Sequence, residues 1–244
     1  MPAPWSLEPV TRSKVLIVEG KDEQRLFSVL LDRLNLSNFD VRPLGGRDKL
    51  RPNLEALKKT SGFADHVVSL GVVRDADQNA TRAFESVADA LRTAGFERPP
   101  APLTFSGDAP RVGVLILSAD GSQGMLEDLC LQSVADDPAM SCVDDYWACI
   151  RERAPRLPTN PSKSRVRAFL ASQEWSEIGY FEHLQQFAAG QPLPEPVEQS
   201  LPRAHTFLAS RYKPDLDLGR AAQAGYWNFD HPAFAPLIAF LRML

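Results

Sequence analysis

Apolar and polar positions alternate along this chain in blocks that switch between two periods. Val15-Leu16-Ile17-Val18 is an unbroken aliphatic run stopped by Glu19-Gly20; it is too short for a helix and predicts a strand buried on both faces. From Asp22 to Leu34 the apolar residues Leu26, Phe27, Leu30, Leu31 and Leu34 recur at helical spacing, which predicts a helix with one face on the sheet. Phe39 to Leu44 predicts a short second strand ending at the turn Gly45-Gly46. Leu50, Leu54 and Leu57 predict a helix entered near Pro52 and running to about Lys59. His66 to Val73 predicts the third strand, and Asn79 an N-cap for a helix from Ala80 to Ala94 that stops at Gly95. A proline-rich loop with a short strand at Leu103-Thr104-Phe105 precedes the fourth strong strand, Val112 to Leu117, which runs through Ser118 to Gly124 into another helix start.

Repeated units of strand, acidic or glycine-bearing loop and helix predict an α/β protein, an open parallel sheet flanked by helices over residues 13–135. From Asp136 the pattern changes. Asp144 to Arg153 and the basic amphipathic stretch Ser162 to Leu170 predict helices, with breaks at Ala154 to Pro161 and at Gly190 to Pro202. Leu237, Ile238, Phe240 and Leu241 make a final packing face. Residues 136–244 are expected to form a mostly helical extension packed on the core.

Candidate chemistry follows the strand ends. In open α/β sheets ligands bind at the carboxyl ends of the strands, which is where Glu19 falls. The third strand runs into Arg74-Asp75-Ala76-Asp77. Two carboxylates two apart on extended chain project to one side, an arrangement suited to oxygen ligation of Mg²⁺ or Mn²⁺. The structural alternative is an Asp-rich turn with Asn79 capping the next helix. His66 and His231 lack metal-ligand spacing and read as structural, and Tyr226, Trp227 and Phe229 read as core or docking aromatics.

These residues carry a resemblance. A hydrophobic strand ending in Glu19-Gly20-Lys21-Asp22, followed by one ending in Asp75-Ala76-Asp77, resembles the Toprim domain of topoisomerases, bacterial-type primases, OLD-family nucleases and M5-type ribonuclease. With Gly45 to Leu50 and Gly225 to Pro232, the chain looks like a small prokaryotic branch of Toprim-related proteins. The resemblance implies a Toprim-like sheet and Mg²⁺-dependent hydrolysis of phosphodiester bonds in DNA or RNA. It implies metal ligation by Asp75 and Asp77, and for Glu19 either ligation or general acid-base work. Glu23 matches the second glutamate of OLD-type nucleases; the alternative is a first-turn acid favoured by the helix dipole. A two-metal site needs further carboxylates, for which Glu127 is the first choice on this rim and Asp120 the second. Lys163, Arg165 and Arg167 are candidates for phosphate contacts, Lys163 also for stabilising charge at the scissile phosphate, against the alternative of a solvated helix face.

Composition narrows the rest. The 244 residues, 44% hydrophobic, suffice for a sizeable core. No apolar run approaches the roughly 20 residues that span a bilayer, and Met1 to Trp5 lacks the features of a signal peptide, so the expected address is the cytoplasm. The 3 cysteines, Cys130, Cys142 and Cys149, form no C-x-x-C and read as buried small apolar residues. A net charge of −4 argues against bulk electrostatic attachment to nucleic acid or membrane, while leaving room for a local basic groove. There is no P-loop sequence, whereas OLD-type proteins carry one in the same polypeptide. The expectation is therefore either an ATP-independent nuclease or a subunit served by a separate ATPase; nucleotidyl transfer at the same metals, a non-catalytic partner subunit and homo-oligomerisation stay open.

Overall fold

The computed structural model describes residues 8–46, 49–174 and 217–244. Five strands form one sheet in the order β2-β1-β3-β5-β4: β1 Lys14–Val18, β2 Phe39–Pro43, β3 Ser69–Asp75, β4 Phe105–Ser106 and β5 Arg111–Leu117. β1 pairs with β2 and β3 in parallel and β3 with β5 in parallel, while the two-residue β4 runs antiparallel along the β5 edge. The α/β class and the open, mostly parallel sheet expected from the blocks are what the chain adopts.

Alternation along buried strands assigns the two faces. Val15, Ile17, Leu70, Val72, Val112 and Val114 point to one side and share a core with Leu50, Leu54 and Leu57 of α2 (Leu50–Lys58) and with Phe84, Val87 and Leu91 of α4 (Ala80–Thr93). The intervening residues Leu16, Val18, Val73, Leu115 and Leu117 are equally buried on the other side. That side carries α1 (Lys21–Arg33), with buried Leu26, Phe27, Leu30 and Leu31, and α5 (Leu126–Ser133). Asn79 caps α4 as its sequence position predicts, its side chain accepting a hydrogen bond from the Arg82 N–H at 2.8 Å.

The third strand starts later than its apolar pattern suggests. Gly62, at φ 80°, opens a short helix, α3 (Phe63–His66), and Phe63 turns inward to meet Phe96 edge-on at 5.9 Å. Burial of Phe63 takes Phe63 to His66 into the helix, and the strand begins at Ser69 after an exposed Val68. His66 is exposed and ends α3.

The chain forms two compact units, Met1–Val134 with Leu218–Leu244, and Ala135–Asp217. The C-terminal segment thus belongs with the sheet. It contributes α8 (Leu218–Gln223), a 3₁₀ turn Pro232–Phe234 and α9 (Ala235–Met243). Trp227 is buried and its indole N–H donates to the Leu218 carbonyl, while the His231 imidazole accepts from the Ala233 N–H. In the second unit α6 (Pro138–Arg153) packs with α7 (Pro161–Glu174). α6 begins well before Asp144, because Asp137 caps it and Pro138 suits a first helical turn. Of the cysteines only Cys130 is buried; Cys142 and Cys149 lie exposed on α6. The break at Gly190 to Pro202 lies outside the described residues.

Phe240 of α9 stacks on Phe105 at 5.5 Å, and the Phe105 ring in turn covers Gly113 so closely that any Cβ there would collide with it. Gly113→Val is therefore expected to destabilise the protein by about 1–3 kcal/mol, the usual cost of overpacking. A lowered urea midpoint at unchanged m-value is the expected reading; an unchanged midpoint would mean that the ring yields freely.

Candidate metal centre

Glu19 follows the last residue of β1, and Gly20 caps α1 from an extended conformation. A Cβ on Gly20 would lie 2.8 Å from Glu23 Oε2, so the missing side chain leaves room for the Glu23 carboxylate to lie back beside Gly20. Glu19 Oε1 accepts a long hydrogen bond from the Asp75 backbone N–H at 3.4 Å and lies 3.7 Å from Arg74 Nε. Two adjacent parallel strands thus bring their terminal residues together.

Asp75, the last residue of β3, is buried, and its Oδ1 accepts a hydrogen bond from the Leu126 N–H at 2.9 Å, at the N-terminus of α5. That helix start is braced by a second bond, Met125 N–H to Asp128 Oδ2 at 2.9 Å. Glu127, in the first turn of α5, is also buried. Burial pushes the Asp75 carboxyl well above its ordinary value of 3.8, and the nearby charges of Glu19 and Glu127, with a smaller contribution from Glu23, push the same way; the Leu126 N–H opposes them. Cys130 reports the same crowding from one helical turn further on. Its thiol is pushed up by burial and then by Glu127, Asp22, Asp75 and Asp128.

Asp77 departs from the geometry expected of two aspartates on extended chain. β3 ends at Asp75, and Asp77 has φ 52°, so the pair does not share one face of a strand. Instead the Asp77 backbone exchanges two 2.8 Å hydrogen bonds with Gly124, pinning the β3–α4 loop to the β5–α5 loop. Asp120 is exposed and folded into its own turn, accepting from Ser122 N–H, Ser122 O–H and Gln123 N–H. Asp22, in the first turn of α1, accepts from the Leu218 and Gly219 N–H groups at 2.9 and 2.6 Å and so ties the returning C-terminal segment to α1.

Lys163, Arg165 and Arg167 lie on α7 in the second unit. The Lys163 N–H donates to the Asn160 side chain, which caps the helix, and the Arg165 guanidinium is ion-paired with Asp144. Arg74, one residue before Asp75, is a functional candidate that pattern reading passed over; the available signal is a cation at the penultimate position of an otherwise apolar strand. Among the described residues no three His, Cys, Asp or Glu side chains stand as a ready-made ligand group. The donor chemistry nonetheless suits a hard cation, since Glu19, Glu23, Asp75 and Glu127 offer carboxylate oxygens alone and their like charges are felt at a buried carboxyl.

An open, mostly parallel α/β sheet with acidic residues gathered at the carboxyl ends of its central strands is the class that fold and site define. Residues 13–179, more than half of the chain, match the family described as "Protein of unknown function (DUF3226)", and the chain belongs to that family. It is similar to the solved C-terminal region of the Xanthomonas campestris pv. campestris OLD protein, at 17% identity over 95% of this chain and 94% of that one, with a TM-score of 0.40. It is likewise similar to the C-terminal region of the Burkholderia pseudomallei OLD protein, at 13% identity over 95% and 96%, with a TM-score of 0.41. Likeness of that order decides nothing about activity. No curated protein matches the sequence. Among the described residues no helix is long and apolar enough to cross a membrane.

The raised Asp75 pKa fixes the sign of a pH effect. The unfolded chain ionises this carboxyl around 3.8, the folded chain only at higher pH, so the stability it contributes is complete below 3.8 and is lost as pH rises through the folded value. Asp75→Asn keeps an acceptor for Leu126 and removes the charge. In metal-free protein at neutral pH the variant is expected to melt higher than wild type, by about 2–4 °C for each kcal/mol recovered in a chain of this length. A lower melting temperature than wild type would contradict the crowding.

Proposed function

We propose that Glu19, Asp75 and Glu127, with Glu23 and Asp77 beside them, hold Mg²⁺ or Mn²⁺ and that the protein hydrolyses phosphodiester bonds of nucleic acid. The observation that carries this reading is the buried Asp75 carboxyl crowded by three further carboxylates at the sheet's carboxyl end. Structural carboxylates are normally paired with cations or donors rather than with one another, because each like charge raises the cost of ionising its neighbour. The resemblance of the two strand-end motifs to Toprim domains supports the same reading.

A divalent cation there would supply positive charge to a phosphate and lower the pKa of bound water. The chain's own groups divide the remaining work. Asp75, fixed by the Leu126 N–H and buried, is the anchoring ligand. Glu19 is held less firmly, with a long contact on each side, and is suited to follow the reacting atoms as ligand or as general base. Glu127 closes the set from α5. Lys163 and Arg167 are assigned to the phosphates of a nucleic-acid partner, while Arg165 would have to leave Asp144 to join them.

Supercoiled plasmid and a structured RNA, each incubated with Mg²⁺ or Mn²⁺, test the proposal. Wild type is expected to cleave one of them only with metal, and Glu19→Gln to lower kcat by about 10²–10⁴-fold, the range for losing a general acid-base group. Cleavage equal to wild type in Glu19→Gln would remove the assignment. Well-folded wild type that binds Mn²⁺ yet cleaves neither polymer would favour a partnered, non-catalytic role.

A further inference from the structure

We propose that Arg74 is a positioning residue that competes with the cation for Glu19, and so sets how tightly the carboxylate cluster takes a divalent ion. This rests on the reading of the cluster as a cation site. Strand alternation sends Arg74 and Asp75 to opposite faces of the sheet: Asp75 turns to α5, whereas Arg74 turns to α4, where its Nη1 donates to Ser86 Oγ at 3.2 Å. Glu19 sits between the two.

The contacts on Glu19 are unfinished on both sides. A charge-assisted N–H···O bond closes to roughly 2.7–2.9 Å, yet Glu19 Oε1 stands 3.7 Å from Arg74 Nε and 3.4 Å from the Asp75 N–H. The Arg74 Nε is fully shielded from solvent and has no hydrogen-bond partner. A buried, unsatisfied N–H of a cation is costly and calls for an explanation. The guanidinium is tethered by Ser86 just beyond bonding distance of the carboxylate, with side-chain exposures of 13% for Arg74 and 21% for Glu19, so solvent does little to screen the pair. A small turn of Glu19 in one direction closes the Arg74 bond; a turn in the other brings the carboxylate toward Asp75. In the first position the cluster lacks one ligand, and in the second Arg74 stands as a positive charge behind the ligand.

Mn²⁺ affinity of the full chain, measured by titration calorimetry, distinguishes the possibilities. Arg74→Gln is expected to bind Mn²⁺ about tenfold more tightly than wild type, because a nearby like charge and a competitor for Glu19 are both removed. Arg74→Lys, which keeps the charge, is expected to stay near wild type, whereas a merely structural guanidinium would be lost equally in both variants. In a Glu19→Gln background the Arg74→Gln effect is expected to shrink to about twofold or less, since coupled residues are not additive. Equal or weaker binding by folded Arg74→Gln, or an effect undiminished without Glu19, overturns the proposal. Should Arg74→Gln fail to fold, the Arg74 Nε–H resonance of ¹⁵N-labelled wild type provides the second reading: it is expected to shift on addition of Mg²⁺, and an unchanged resonance at saturating Mg²⁺ overturns the role. Wild type that binds no Mn²⁺ sinks the cation reading and this inference together; wild type that binds while Arg74 changes nothing sinks this inference alone.

Discussion

Like-charge crowding at the carboxyl end of a parallel sheet is the constraint around which this protein is arranged. Parallel pairing of β1 with β3 delivers Glu19 and Asp75 to the same rim, and nothing in the strand geometry can separate them. The surrounding architecture offsets part of the resulting repulsion with backbone dipoles. The start of α5 points the Leu126 N–H at Asp75. The Asp77–Gly124 bridge holds the two loops that make this alignment hold, and the absence of a side chain at Gly20 leaves room for Glu23. Arg74, on the other face, is a nearby cation, and it stops short of a bond. In the proposed reading, a divalent ion would complete this arrangement.

The outer parts of the fold serve to keep that rim in place. α2 and α4 fill one face with aliphatic side chains, and α1 and α5 bury the other. The C-terminal segment returns from the second unit's end of the sequence to cover the sheet, held by Asp22 at the α8 N-terminus and by Phe240 on Phe105. Asp22 is therefore a structural carboxylate two residues from Gly20, held by backbone donors of its own although its charge is felt at Cys130 with those of Glu127 and Asp75.

Much of the sheet was legible in the sequence because buried parallel strands need continuous aliphatic runs, and Val15 to Val18 and Val112 to Val114 can be little else. The strand-end positions of Glu19 and Asp75 were legible for the same reason, Glu19 as the first polar residue after its run and Asp75 as the acid that follows Arg74 at the end of its own. The turn at Asp77 was not, since its left-handed backbone is imposed by a partner far along the chain, Gly124, rather than by local pattern. Arg74 escaped because a cation near a strand end looks like ordinary solvation until Ser86 and Glu19 are seen around it. The short helix at Phe63 depends on Phe96, and the assignment of Leu218 to Leu244 to the sheet depends on Asp22; both are long-range contacts that no window of local periodicity contains. Two cysteines expected inside lie exposed on α6, whose start is set by Asp137 and Pro138 rather than by hydrophobic spacing.

The central claim is that these carboxylates are a cation site, and anomalous scattering from crystals grown or soaked in Mn²⁺ tests it most directly. The account predicts a Mn²⁺ peak bounded by Glu19, Asp75 and Glu127, with Glu19 moved off Arg74. A rim without anomalous density at saturating Mn²⁺, with Glu19 closed onto Arg74 instead, would contradict it.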